Sequence, residues 1–143
     1  MPLVHDKKIN SGGCMKIEHI AVWSMDIDKL RDFYIHYFGA ASNKKYINEK
    51  KGFSSYFLSF KEGPRLELMS NNRLDILPDN GTRNYTGPAH FAFSAGSPEK
   101  VDELTALLKK DGYEVLDGPR RTGDGYYESV VLDPEGNRIE ITV

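Results

Sequence analysis

Glu62-Gly63-Pro64-Arg65-Leu66-Glu67-Leu68 returns 73 residues later as Glu135-Gly136-Asn137-Arg138-Ile139-Glu140-Ile141. Each copy reads as a turn running into a strand that alternates aliphatic and polar residues. Alternation sends Glu67 and Glu140 to the face opposite Leu66, Leu68, Ile139 and Ile141. Further out, Lys16-Ile17-Glu18-His19-Ile20-Ala21-Val22-Trp23-Ser24 and Pro88-Ala89-His90-Phe91-Ala92-Phe93-Ser94 are also alternating strands. His19, Ala21 and Trp23 share one face of the first, with Ile20 and Val22 expected in the core. His90 and Ala92 share one face of the second, with Phe91 and Phe93 behind. His19 and His90 lie 71 residues apart, so a small length difference around the helices separates the two offsets.

Between these markers both halves repeat the same order. Asp26 to Gly39 carries apolar residues at 27, 30, 34 and 37/38, a helical spacing capped by Ser24 or Asp26 and stopped by Gly39. Ser97-Pro98 opens a second helix with the stripe Val101, Leu104, Leu107, Leu108, ending at Gly112. Phe53–Phe60 is an aromatic-rich strand. Tyr113–Leu116, Tyr126–Leu132 and Arg138–Val143 are strands, and 117–125 reads as a turn-rich loop. Each half is strand, helix, then three strands, and such repetition at a fixed period marks an internal duplication. The fold class is α+β. Residues 1–15 read as a flexible leader, 16–70 as the first module, 71–87 as a long connection and 88–143 as the second module, together one domain.

At 143 residues the chain can bury a proper core. Its 19 basic and 21 acidic residues leave a net charge of −2, with no run of one sign that would suit nucleic acid. No apolar stretch approaches the ~18 residues of a membrane helix, and no signal-peptide core is present. The single cysteine, Cys14, excludes an intrachain disulfide and fits a reducing, cytoplasmic setting.

The duplication puts four ligand-type residues in equivalent places: His19 and Glu67, His90 and Glu140. Buried imidazoles and carboxylates need partners. If the two half-sheets meet around a cleft, one divalent cation satisfies all four. Two imidazoles and two carboxylates suit Zn, Ni, Co, Mn or Fe, and nothing in the donor set chooses among them. The plainer alternative makes each of the four a half-exposed strand residue.

The His19 strand, Asp32-Phe33-Tyr34 ahead of Phe38-Gly39, the Glu67 strand, the His90 strand, and Asp133-Pro134-Glu135-Gly136-Asn137 leading to Glu140 together resemble the vicinal-oxygen-chelate superfamily. This is the glyoxalase I, bleomycin-resistance and extradiol-dioxygenase group. The resemblance spans residues 16–143 and extends to uncharacterised lactoylglutathione-lyase-like proteins. It implies paired βαβββ modules around one metal cleft, a small-molecule substrate and a homodimer. It also implies a metal-dependent lyase or isomerase acting on a substrate with vicinal oxygens, by proton abstraction and enediolate stabilisation. On that reading Glu140 is the first choice for the base and Glu67 its counterpart. The family enzyme carries Arg at the position of Trp23, and an indole does not replace a guanidinium fork. Asn71 does match an Asn of the glutathione site. Trp23, Asn71, Arg120 and Arg121 are the substrate-binding candidates. The alternatives are a bleomycin-type binding protein and an extradiol-type dioxygenase that would leave Glu67 spare.

Overall fold

A computed structural model describes residues 16–76, 84 and 88–143. The leader and most of the second half of the 71–87 connection, and with them Cys14, lie outside the described residues. The elements run β1 (His19–Trp23), α1 (Ile27–Phe38), β2 (Ala41–Ser42), β3 (Tyr46–Asn48), a 3-10 turn (Glu49–Lys51), β4 (Phe53–Ser59) and β5 (Arg65–Asn71). They continue as β6 (Phe91–Ser94), α2 (Pro98–Lys110), β7 (Val115–Arg121), β8 (Tyr127–Leu132) and β9 (Arg138–Thr142). The first half forms a sheet in the order β1-β5-β4-β2, with β3 also paired to β4, and the second a sheet in the order β6-β9-β8-β7. In each sheet the first strand runs parallel to the last strand of its own half. A parallel pair needs a crossover, and α1 and α2 lie in those two connections. With β2 and β3 both paired to β4 as β7 is to β8, the architecture is the duplicated βαβββ arrangement of an α+β fold.

Local chemistry sets the helix limits. Asp26 accepts the Lys29 N–H at 3.0 Å and starts α1. Gly39, at φ 66°, ends it in the left-handed conformation that glycine adopts without a Cβ penalty. Ser97 caps α2 and Pro98 occupies its first turn. The second helix ends at Asp111 rather than Gly112, which follows it. The apolar stripes are wider than their spacing predicts. Phe33 joins Ile27, Leu30 and Tyr34 in the core, and Thr105 joins Val101 and Leu108, while Leu107 is exposed. Thr105 is tolerated because its hydroxyl donates to Val101 O at 2.6 Å and bonds Ser129 Oγ at 2.7 Å.

The two halves share one core. Phe93 of β6 packs on Phe38 and Phe60 of the first half at ring separations of 4.5 and 5.1 Å. Phe33 and Tyr37 meet Tyr113 from the other side at 4.9 and 5.4 Å. Full burial, which Phe33 reaches, is worth roughly 1.5–3 kcal/mol, and the partly buried partners contribute less. A polar joint accompanies this packing. The buried Tyr34 hydroxyl donates to Asp133 Oδ2 at 2.8 Å, and Ser24 Oγ donates to Glu135 Oε1 at 2.6 Å. Asp133 also accepts the Glu135 and Asn137 N–H groups and the Asn137 amide, each at 2.9 Å. Burial raises the Asp133 carboxyl, against these donors that favour its charged form. Burial beside Asp133 drives the Tyr34 phenol well above its ordinary value, so the phenol keeps its proton and acts as the donor.

Two expectations change. β1 is an edge strand, so Ile20 is exposed rather than core, and only Val22 packs inward. The 117–125 segment is not a free loop: β7 extends to Arg121, and the turn is confined to the residues that follow.

Candidate metal and substrate site

The parallel pairing gives both halves the same local geometry. Ala21 is opposite Glu67 in one sheet and Ala92 opposite Glu140 in the other. A histidine stands two residues before each alanine, on the same face. His19 Nε2 lies 3.7 Å from Glu67 Oε2, and His90 Nε2 lies 3.2 Å from Glu140 Oε2. Both imidazoles are 44% exposed, and the carboxylates are 15% and 19% exposed. Two donors about 2.1 Å from one ion at right angles sit about 3 Å apart, close to the spacing of the second pair, while the first pair is more widely spaced. The four residues form two pairs, not one cluster. Among the described residues, no three His, Cys, Asp or Glu side chains gather in a metal-binding group within one chain.

The first pair is braced from behind. His19 Nδ1 lies 2.8 Å from Glu18 Oε2. Glu18 is in turn held by Arg65, whose hydrogen bond, followed by that of His19, lowers its carboxyl below the ordinary range. An ionised Glu18 only accepts, so Nδ1 donates in this contact and Nε2 is the ring nitrogen on the Glu67 side, the one placed to bind a metal. A carboxylate on the distal nitrogen is the usual companion of a metal-ligating histidine. Phe57 fixes the ring edge-on at 5.5 Å, and the Arg65 guanidinium covers the same Phe57 at 4.2 Å. Glu18 was not a sequence candidate. Strand alternation would send it away from His19, but it precedes β1 and is not bound by that alternation.

The second pair is built differently. Ala89 stands where the first half has Glu18. Among the described residues Arg138 reaches Asn84 at 2.8 Å. Glu128 of β8 lies on the same face as Glu140, one cross-strand pair away. Burial, then its hydrogen bond to Glu140, then the charge of Glu140 push the Glu128 carboxyl up to about 7. Only the β8/β9 register reveals it, because 11 residues separate Glu128 from Glu140 in the chain.

The four substrate candidates separate. Trp23 lies on the His19 face, is 50% exposed, and meets Phe53 edge-on at 6.4 Å. Asn71 is the last residue of β5, on the Glu67 face, and its Oδ1 accepts the Arg73 N–H at 2.8 Å. Arg120 is opposite Glu128 but is paired with Asp117 at 2.8 Å. Arg121 donates to Gly125 O at 3.1 Å and braces the β7–β8 turn.

The model of the Glyoxalase/Bleomycin resistance protein/Dioxygenase superfamily matches residues 16–141. An uncharacterised Bacillus subtilis (strain 168) protein, YqjT, is 27% identical over 128 residues, covering 87% of this chain and 96% of the relative. The solved structure of a possible glyoxalase from Bacillus cereus is 26% identical with a TM-score of 0.68, covering 91% of this chain and 100% of that one. Glyoxalase I from Zea mays superposes with a TM-score of 0.71 at 22% identity, a likeness of fold. It covers 89% of this chain, which spans 44% of the maize protein.

Proposed function

This chain belongs to the glyoxalase/bleomycin-resistance/dioxygenase superfamily, and from that premise we propose that it is a metal-dependent lyase or isomerase of the glyoxalase type. The observation that carries the proposal is the pair of in-register His–Glu couples at equivalent points of two duplicated sheets. The donor set, two imidazoles and two carboxylates, suits one divalent first-row ion. Because the couples stay apart within a chain, we assign the full site to a homodimer. His19 and Glu67 of one protomer would face His90 and Glu140 of its partner, and the exposed faces around them would close on assembly.

Once bound, the metal would supply Lewis-acid stabilisation of negative charge on two neighbouring substrate oxygens. The chain's residues do the rest. Glu140 accepts the proton from the carbon beside those oxygens and returns it to the adjacent carbon, with Glu67 as its symmetric counterpart. Glu18 keeps His19 in the tautomer that presents Nε2. Closure of the two faces excludes water from the carbanionic stage.

Purified protein loaded in turn with Zn, Ni, Co, Mn and Fe should retain about one ion per pair of His–Glu couples. Glu67→Gln with Glu140→Gln should abolish retention. Protein that holds none of the five would overturn the metal reading. With methylglyoxal, turnover by the loaded dimer is expected, and assays with and without glutathione decide whether a thiol adduct is the substrate. A second reading, small-molecule sequestration, draws support from the exposed aromatics Trp23 and Tyr46. Tight ligand binding with no turnover for any metal would favour it.

A further inference from the structure

Further along the sheet from the first His–Glu couple the chain builds a concavity of about 720 Å³, where the 3-10 turn Glu49–Lys51 meets the segment after β5. Lys50, Lys51 and Arg73 line it, against the single carboxylate of Glu49. None of these three cations has a side-chain partner among the described residues. Three cations elsewhere in this half are neutralised: Lys45 by Asp28, Arg31 by Asp32 and Arg65 by Glu18. The walls have fixed positions. Asn48 Oδ1 accepts the Lys51 N–H at 3.1 Å, and Asn71 Oδ1 holds the Arg73 N–H. Gly52, at φ 58°, lets the Asn72 amide lie where a Cβ would be only 2.7 Å from it.

The apolar side of the concavity continues toward the couple. Phe53 and Tyr46 both line it, with rings 6.2 Å apart, and Phe53 also meets Trp23. Trp23 lies four residues beyond His19 on one strand face, as Asn71 lies beyond Glu67. At about 3.3 Å per residue, either separation is about 13 Å.

We propose that this concavity is an oxyanion-binding subsite, and that the substrate is an elongated amphipathic acid. The oxygen-bearing end reaches the His–Glu couple, an aromatic or apolar stem lies on Trp23 and Phe53, and a carboxylate or phosphate ends among Lys50, Lys51 and Arg73. The substrate class rests on the couples being the reacting end; the subsite itself does not. Three cations with no side-chain partner among the described residues attract an anion and give up little by binding it. Indole and phenyl edges beside them favour a planar stem.

Trp23 is the sole tryptophan of the chain, so its fluorescence reads the stem position directly. Metal-free full-length protein in chelator is titrated with phenyl phosphate, phenylacetate and benzyl alcohol. At least one of the two acids should change Trp23 emission saturably, with a Kd at least 10-fold below that of benzyl alcohol. Which acid does so distinguishes a phosphate from a carboxylate. Lys50→Gln/Lys51→Gln/Arg73→Gln should erase that 10-fold advantage while leaving benzyl alcohol unchanged, and 0.5 M NaCl should weaken the acids alone. Equal affinity for acids and alcohol, or an advantage that survives the triple substitution, overturns the proposal. The same titration on Glu67→Gln/Glu140→Gln should be unaltered, so failure of the metal reading and failure of the subsite give different results.

Discussion

The two halves carry the same His–Glu couple in the same register and support it in different ways. In the first, Glu18 and Arg65 brace His19, and Phe57, Phe53 and Trp23 make the surrounding face aromatic. In the second, Ala89 replaces Glu18, Val130 stands at the place of Phe57, and Glu128 stands where the first half has Ser55. The couples match because the same parallel register places both of them. The second layer was free to diverge because it is set by single side chains. One half has an aromatic, cation-rimmed face and the other an acidic one. On the proposed function, base chemistry would fall to the acidic half and substrate placement to the aromatic half.

The halves also differ at their β-turns, and the largest expected effect tests that. At the second turn Asp133 ties β8–β9 to Tyr34 of α1, whereas the first turn contributes Phe60 to Phe93 by packing alone. Asp133→Ala removes an acceptor of four hydrogen bonds and strands the buried Tyr34 hydroxyl. Stability should fall by about 3 kcal/mol in denaturant unfolding. A loss below about 1 kcal/mol would show that the aromatic contacts alone join the halves.

The next effect concerns the unequal bracing of the histidines. In metal-loaded protein Glu18→Ala should weaken affinity by roughly 10–100-fold, measured by competition with a chromophoric chelator. Ala89→Glu should strengthen it or leave it unchanged. Equal insensitivity to both substitutions would remove the distinction between the braced and unbraced couples.

Gly52→Ala should cost about 1–2 kcal/mol, because it combines a positive φ with displacement of Asn72. It should also reduce the oxyanion preference of the adjacent concavity. Thermal melts with the Trp23 titration separate the two consequences.

The smallest effect is electrostatic. In metal-free protein one glutamate should titrate at about 7 by carboxyl-carbon NMR, and Glu128→Ser should remove that resonance. Glu140→Gln should return it toward the ordinary range. The folded value lies above the unfolded one, so folding takes up a proton. The associated stability is present below the ordinary carboxylate range and is lost as pH rises through about 7. A resonance that titrates near its ordinary value would show that Glu128 and Glu140 do not interact in solution.

Much of this was legible in the chain. The phrase at Glu62–Leu68 and its return at Glu135–Ile141 carried the duplication, the strand order within each half, and the placing of Glu67 and Glu140 opposite the aliphatic layer. His19 and His90 followed from period-two alternation. What escaped depends on contacts between distant segments. Glu18 lies outside the strand that would have oriented it. Arg120 and Arg121 read as part of a turn-rich loop over 117–125, whereas pairing with β8 draws them into a strand. Ile20 has the pattern of a core residue but sits on an edge strand, which leaves it uncovered.

The sequence by itself determined the fold class, the repeat, and the strand face on which His19, Glu67, His90 and Glu140 stand, because backbone periodicity and turn chemistry are local. Only the tertiary structure decided that the couples stay apart within one chain. It also decided that Glu128 joins Glu140 and that Lys50, Lys51 and Arg73 line one concavity. Those outcomes depend on how sheets align and on which side chains meet across them. No periodicity within a strand encodes either.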